Sequence, residues 1–164
     1  MSETPNAPAG APDGAAANAP ALRVIVQYLK DLSFENPKAP DSFKYIGQPA
    51  NTDFNIGMKA KQLDPNRFEV ELTMSAHASS EEEPVFIVEC TYAGVFELQN
   101  IPAEQMEMIL YIECPRMLFP FARNIIAEAV RDGGYQQFLI EPIDFVALYQ
   151  QQVRQRQQEP AGNA

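Results

Sequence analysis

The chain has 164 residues, 46% hydrophobic and 21% charged, enough for one globular domain with a core of its own. Twenty-two acids against 12 bases give a net charge of −10, which argues against phosphate backbones and anionic membrane surfaces as partners and for basic ones. No stretch reaches the about 18 apolar residues of a membrane span, and the N-terminus lacks the basic cluster and apolar run of a secretory signal. Cys90 and Cys114 make no disulfide framework, so a reducing, cytoplasmic setting is expected.

Residues 1–20 are mainly Ala, Pro, Gly and Asn and cannot bury enough apolar surface to offset ordering, which predicts a disordered arm. From Leu22 the pattern alternates. Leu22, Val24, Val26 and Tyr28 share one face and Arg23, Ile25, Gln27 and Leu29 the other, the period of a strand. Ile25 and Leu29 make that second face apolar as well, so it too needs a cover. Residues 36–50 form a long connection with three prolines and a glycine that still carries Phe43, Tyr45 and Ile46. Its rings either serve a functional surface or pin the loop to the sheet.

A second strand sets Phe54, Ile56, Met58 and Ala60 against Asp53, Asn55, Gly57 and Lys59, and Asp64-Pro65-Asn66 turns the chain. The third points Phe68, Val70, Leu72, Met74 and Ala76 inward and Glu69, Glu71, Thr73, Ser75 and His77 outward. After a polar turn at 79–84, a fourth alternates Phe86, Val88, Cys90 and Tyr92 with Val85, Ile87, Glu89 and Thr91, and Gly94 suggests a bend or bulge. Short connections make antiparallel neighbours. Strands first and helices after is the α+β arrangement: a four-stranded antiparallel sheet with helices packed on one face.

Residues 101–131 begin apolar on nearly every side, with Met106, Ile109 and Leu110 on one stripe and Met108, Tyr111 and Ile112 on another. Such a helix must be covered twice, and in a short chain the second cover is a sister subunit. Ile25, Met106, Met108, Ile109 and Ile112 are therefore oligomer-interface candidates. Pro115 and Pro120 predict a helix over about 103–113, a bend through 114–119 and a second helix starting at Pro120. That second helix places Phe121, Ile125, Ile126, Ala129 and Val130 on one face and stops at Gly133-Gly134. The loop at 132–141 again carries apolar residues, Tyr135, Phe138, Leu139 and Ile140. Asp144 is a good cap for a last helix with the stripe Phe145, Leu148, Tyr149 and Gln152, fraying after Val153. The expected division is an arm at 1–20, a domain at 21–153 and a flexible tail at 154–164.

Catalytic chemistry is poorly represented, so no enzyme, cofactor or metal is expected. The single histidine, His77, lies on the outward face of a strand; the two cysteines lack the spacing and partners of a zinc site. No glycine-rich phosphate loop or GxSxG elbow occurs. Charge is more informative. From Arg67 to Glu113 the chain has ten acids and a single base, Arg67 itself, and Glu69, Glu71 and Glu89 should fall on the sheet face away from the helices, with Ile87 as an apolar point among them. Such a face either steers a basic partner or simply keeps the protein soluble. The loop aromatics and Met-rich helix surfaces either line a groove suited to promiscuous contact or belong to core and interface.

Four separated blocks, YLKDLSFENPKAP at 28–40, YAGVFEL at 92–98, CPRMLFPFAR at 114–123 and IEPIDFVALY at 140–149, resemble SecB, the bacterial protein-export chaperone family, over roughly residues 22–153. The resemblance implies a homotetramer, a dimer of dimers, that holds precursor proteins unfolded and passes them to the SecA motor without ATP. It implies SecA contacts at Asp31, Glu35, Ile87 and Glu89. It also implies a client groove beside 36–47 and 132–141, for which Phe43, Tyr45, Phe138, Phe145 and Tyr149 are the lining candidates. Nucleic acid and direct membrane insertion are not expected. One departure is that many relatives end in an acidic tail, whereas this tail carries Arg154 and Arg156. A holdase outside export, such as a toxin-controlling relative, would share the fold but not bind SecA. A small-ligand or enzymatic α+β domain would instead show a closed pocket with a perturbed titratable group.

Overall fold

The alternation of β-branched and aromatic residues with polar ones produces four long strands in the computed structural model, which describes residues 17–136 and 138–159. They are β1 (Ala21–Glu35), β2 (Asn51–Asp64), β3 (Arg67–Ser80) and β4 (Glu83–Gln99). All pairings are antiparallel and the spatial order is β1-β4-β3-β2, so β1 and β2 are the two edges. Of the arm expected at 1–20, residues 1–16 lie outside the described residues.

The third strand follows its sequence pattern residue for residue: Val70, Leu72, Met74 and Ala76 are fully buried and the residues between them are not. β1 does not. Register slips between Val24 and Val26 and again between Leu29 and Asp31 insert Ile25 and Lys30 as extra residues opposite β4. Each slip exchanges the two faces. Leu22, Val24, Leu32 and Phe34 therefore sit opposite Leu98, Phe96, Cys90 and Val88 on the helix side, whereas Val26 and Tyr28 turn to the outer face opposite Val95 and Ala93. The expected bulge at Gly94 is absent from β4, whose pairing with β3 runs straight through Val70–Gly94. Gly94 instead lets a helix come close: a Cβ there would stand 3.1 Å from Leu118 and 2.9 Å from the Phe96 ring.

Two tight turns join β2 to β3 and β3 to β4. At the first, the Asn66 backbone N–H donates to the Asp64 carboxylate at 3.2 Å. At the second, Glu81 and Glu82 adopt φ of 49° and 67°, the left-handed region that side chains disfavour. The long connection 36–50 contains a 3₁₀ turn, Asp41–Tyr45, that buries Ser42.

The helical segment departs most from expectation. α1 (Ala103–Met108) passes through a π-helical turn, Ile109–Glu113, directly into α2 (Cys114–Asp132), so there is no bend at 114–119. Pro115 lies in the first turn of α2. Just before it the Cys114 N–H bonds back to Ile109, and the wider turn relieves the clash that the proline ring would make with the carbonyl four residues earlier. Pro120 sits inside α2, where the partner it denies is the carbonyl of solvent-exposed Arg116. The buried stripe of α2 is Cys114, Leu118, Ala122, Ile126 and Val130, which packs against β4 and β3. Phe121, expected on that stripe, is half exposed and stacks on Tyr92 with centroids 5.9 Å apart.

Gly133 and Gly134 end α2, the latter at φ 93°. The Asp144 carboxylate caps α3 (Phe145–Gln158) by accepting from the Ala147 N–H at 3.0 Å. α3 continues past Val153, where fraying was expected, and Arg156 holds its far end by an ion pair to Glu107 at 3.0 Å and a position over the Tyr111 ring. The helices cover one face of the sheet and leave the other bare.

Candidate functional site

The bare face is a grid whose columns are the strands and whose rows are the register pairs. One row reads Glu35, Ile87, His77, Asp53; the next Ser33, Glu89, Ser75, Asn55; the next Asp31, Thr91, Thr73, Gly57. Asp31, Glu35, Ile87 and Glu89, far apart in sequence, thus form one corner shared by β1 and β4. Its three carboxylates are exposed and, among the described residues, take part in no ion pair.

Of the other acids of the face, Glu69, Glu71 and Glu97 are neutralised and Asp53, among the described residues, is not, which the sequence count did not anticipate. Lys30, thrown out of the β1 ladder by its bulge, reaches across β4 to hydrogen-bond both Glu69 and Glu71 on β3. Lys30 holds the Glu69 carboxyl below the usual range, and the carboxylates in turn raise the Lys30 ammonium. β2 sets Lys61 and Lys59 across from the same two acids. Glu97 lies 3.5 Å from Arg67 and 4.0 Å from Arg23. Negative potential is therefore concentrated at the Asp31–Glu35–Glu89 corner rather than spread over the sheet.

On the other side, where the helices stop short of the strand ends, the surface is concave. A hollow of about 400 Å³ lies between residues 45–50 of the crossover segment, Ala78, Val85 and Phe86 of the sheet, and Tyr135. A second, of about 340 Å³, lies between Thr52 and Phe54 of β2 and Phe138, Leu139, Ile140 and Ile143. Phe86, which walls the first, meets Phe138, which walls the second, edge-on with centroids 6.4 Å apart. The two hollows thus share one aromatic partition and form a single open trough.

Tyr45 and Phe138 line this trough; the other three groove candidates do not. Phe43 is half buried against Tyr135, centroids 5.4 Å apart. Phe145 is only 2% exposed and packs on Phe119, so it has no surface left for a client. Tyr149 stacks on Tyr111 beneath α3. Phe54 and Phe86 were missed because alternation marks a strand residue as inward-facing but not whether a helix covers that part of the strand; Ile143, in the loop before α3, carries no periodic signal at all.

The interface candidates also divide. Met108 is 52% exposed and Ile25 39%; Met108 and Ile109 line a shallow hollow with Ile112, while Ile112 itself and half-buried Met106 pack into the core. Leu29, Leu32 and Phe121 add exposed apolar area near the unpaired edge of β1. Burial pushes the Cys90 thiol up to about 11 and the Cys114 thiol up to about 12, so neither is a thiolate near neutrality. Among the described residues no cluster of His, Cys, Asp and Glu could hold a metal, and no helix is long and apolar enough to cross a membrane.

Comparison with known proteins agrees with this architecture. A SecB-like chaperone of Mycobacterium tuberculosis, solved with an antitoxin peptide, superposes with a TM-score of 0.62 over 79% of this chain and 93% of its own, at 14% identity; it shares the fold. Proteins described as protein-export protein SecB are 51% identical in Hyphomonas neptunium (94% of this chain, 92% of that protein) and 47% in Maricaulis maris (95% and 89%). Another in Caulobacter sp. is 42% identical over the full length of both chains. The family model for the preprotein translocase subunit SecB matches residues 15–156. The chain therefore belongs to the SecB family of protein-export chaperones, a family of chaperones and not of enzymes.

Proposed function

We propose that this protein holds precursor polypeptides unfolded in the trough, without ATP, and delivers them to the SecA motor through the Asp31–Glu35–Ile87–Glu89 corner, acting in the cytoplasm as a dimer of dimers. The observation that carries the reading is the open aromatic trough, two hollows divided by the Phe86–Phe138 pair. Seating one large apolar side chain in each hollow contributes about 1.5–3 kcal/mol apiece. Ordering the connecting backbone costs about 1–2 kcal/mol per residue. A single trough therefore binds weakly and without sequence readout, and useful affinity comes from several troughs engaging one long chain. The exposed apolar residues of β1 and α1, beside an unpaired strand edge, support assembly into the oligomer that supplies those copies.

A holdase directed at an antitoxin is the second reading, prompted by the peptide bound to the mycobacterial fold neighbour. The export reading is preferred because relatives at 42–51% identity carry the export description, whereas that neighbour is 14% identical. Light scattering of the pure protein with and without an unfolded precursor, followed by titration with SecA, tests both. Suppressed aggregation with SecA binding is expected; holding without SecA binding would favour the second reading, and no holding would refute both.

A further inference from the structure

Tyr135 does more than wall the trough. It is delivered by Gly133 and Gly134, where a Cβ would stand 2.2 Å from the Phe34 ring and 2.9 Å from the Phe43 ring, so bare backbone is what lets the loop pass between them. The Tyr135 ring then packs between Phe43 and Phe86, with centroids 5.4 and 5.2 Å away. Its hydroxyl donates to Asn36 Oδ1 at 2.7 Å, with the Val85 carbonyl oxygen a second acceptor at 3.2 Å. Ser42 Oγ, on a residue 1% exposed, lies 2.8 Å from the same phenol oxygen and donates to Asn36 Oδ1 at 2.9 Å.

These partners belong to two separate pieces of chain. Asn36 and Ser42 lie in the crossover connection 36–50, the one just past β1 and the other in its 3₁₀ turn, and Val85 is the third residue of β4 and lines the first hollow. One phenol oxygen therefore ties the first part of the connection to Val85 in the sheet wall of the hollow, and residues 45–50, which form its opposite wall, continue directly from the 3₁₀ turn held in this way.

We propose that Tyr135 is the positioning residue of the client trough: its hydroxyl holds the crossover segment so that the hollow is open before a client arrives. This rests on reading the trough as the client site. A site that is open only part of the time binds with an affinity reduced by that fraction. Losing a hydrogen-bonded anchor of ordinary net strength corresponds to a factor of about five. Tyr135→Phe keeps both ring contacts and leaves Ser42 paired with Asn36, so the fold has no reason to fail.

The test uses a fluorescein-labelled, unstructured peptide of Leu and Phe spaced by Ser and Lys as client, with wild type, Tyr135→Phe, Asn36→Ala and the double variant. Tyr135→Phe should raise the peptide Kd about fivefold, and the double variant should be weaker by less than the product of the two single effects. In the client-free protein, Tyr135→Phe should speed amide exchange at Ser42 and Phe43 while Leu72 and Met74 in β3 keep their wild-type rates. Unchanged affinity with unchanged exchange would overturn the assignment alone, as would acceleration spread evenly over β3. A wild-type chain that binds no peptide would overturn the trough reading and, with it, the client-positioning role.

Discussion

Reversing the charge of Glu89 tests the acidic corner most directly. Glu89 faces Ser33, midway between Asp31 and Glu35 along β1. Standard strand spacings then put Glu89 about 8 Å from each of them, and those two about 13 Å from one another. A partner cation equidistant from the three carboxylates stands about 7 Å from Glu89. At that distance a unit pair is worth about 0.6 kcal/mol in water and more once docking excludes solvent. Glu89→Lys changes that interaction by twice its size, so about 1–2 kcal/mol, or about tenfold in the Kd for SecA. Asp31→Asn removes a single interaction and should cost about threefold. Both effects should shrink as added salt brings the screening length below the about 8 Å of physiological buffer. Calorimetric titration of SecA into each variant at low and high salt reads this, with aggregation suppression as the parallel measure of client holding. A Glu89→Lys protein that binds SecA as wild type does would refute the corner, and one that loses client holding in equal measure would show that the two faces are not separate.

Three other expectations concern the scaffold. Glu82→Gly relieves a left-handed residue in the β3–β4 turn and should stabilise the fold by about 1 kcal/mol, seen as a higher denaturant midpoint at unchanged slope; a lower midpoint would count against strain there. Because Lys30 lowers the Glu69 carboxyl, its stabilisation is present above the unfolded carboxylate pKa and is lost as pH falls through the lower folded value; NMR titration should show Glu69 protonating at higher pH in Lys30→Met than in wild type. Ile25→Asp places a charge on the exposed apolar edge of β1 and should shift the particle to lower mass in light scattering, whereas an unchanged mass would remove Ile25 from the interface.

Where side chains simply alternate, the sequence is a reliable guide to the fold. Every inward and outward residue of β3 from Phe68 to His77 follows from period two, and so does the outward phase of Ile87 and Glu89 on β4, whereas Asp31 and Glu35 were named only by the family resemblance. In β1 the alternation read over Leu22–Leu29 holds at Leu22–Val24 and fails beyond the Ile25 slip, and the Lys30 slip then restores the original phase. Pro115 and Pro120 were misleading because a proline breaks a helix only if the deprived carbonyl has no other recourse. Here a π turn precedes one proline and an exposed residue owns the carbonyl opposite the other. The counter-charges of Glu69 and Glu71 come from strands far away in sequence, so no local charge count could reveal them. Phe145 was misplaced for the opposite reason: a stripe residue of a short helix can serve core or surface, and the Phe119 ring decides it.

The two bulges also decide which residues β1 turns to each side of the sheet. A strand of strict alternation would put Gln27 and Leu29 outside and Val26 and Tyr28 inside; the Ile25 slip instead turns Leu29 toward Tyr92 and Phe121, and the Lys30 slip restores phase in time for Asp31 and Glu35 to face outward. Lys30 itself, expelled from the ladder, silences the acids nearest the middle of the face. The unpaired charge is left at the end of the sheet where β1 runs out at Glu35, and the next residue, Asn36, is the one held by Tyr135 from the trough side. On the proposed function, a client in the trough and a motor on the corner would act on opposite sides of the same few residues. If their binding is coupled, the coupling must be reciprocal, each ligand changing the affinity for the other by one common factor. The Glu35–Asn36 junction is where that factor would be set.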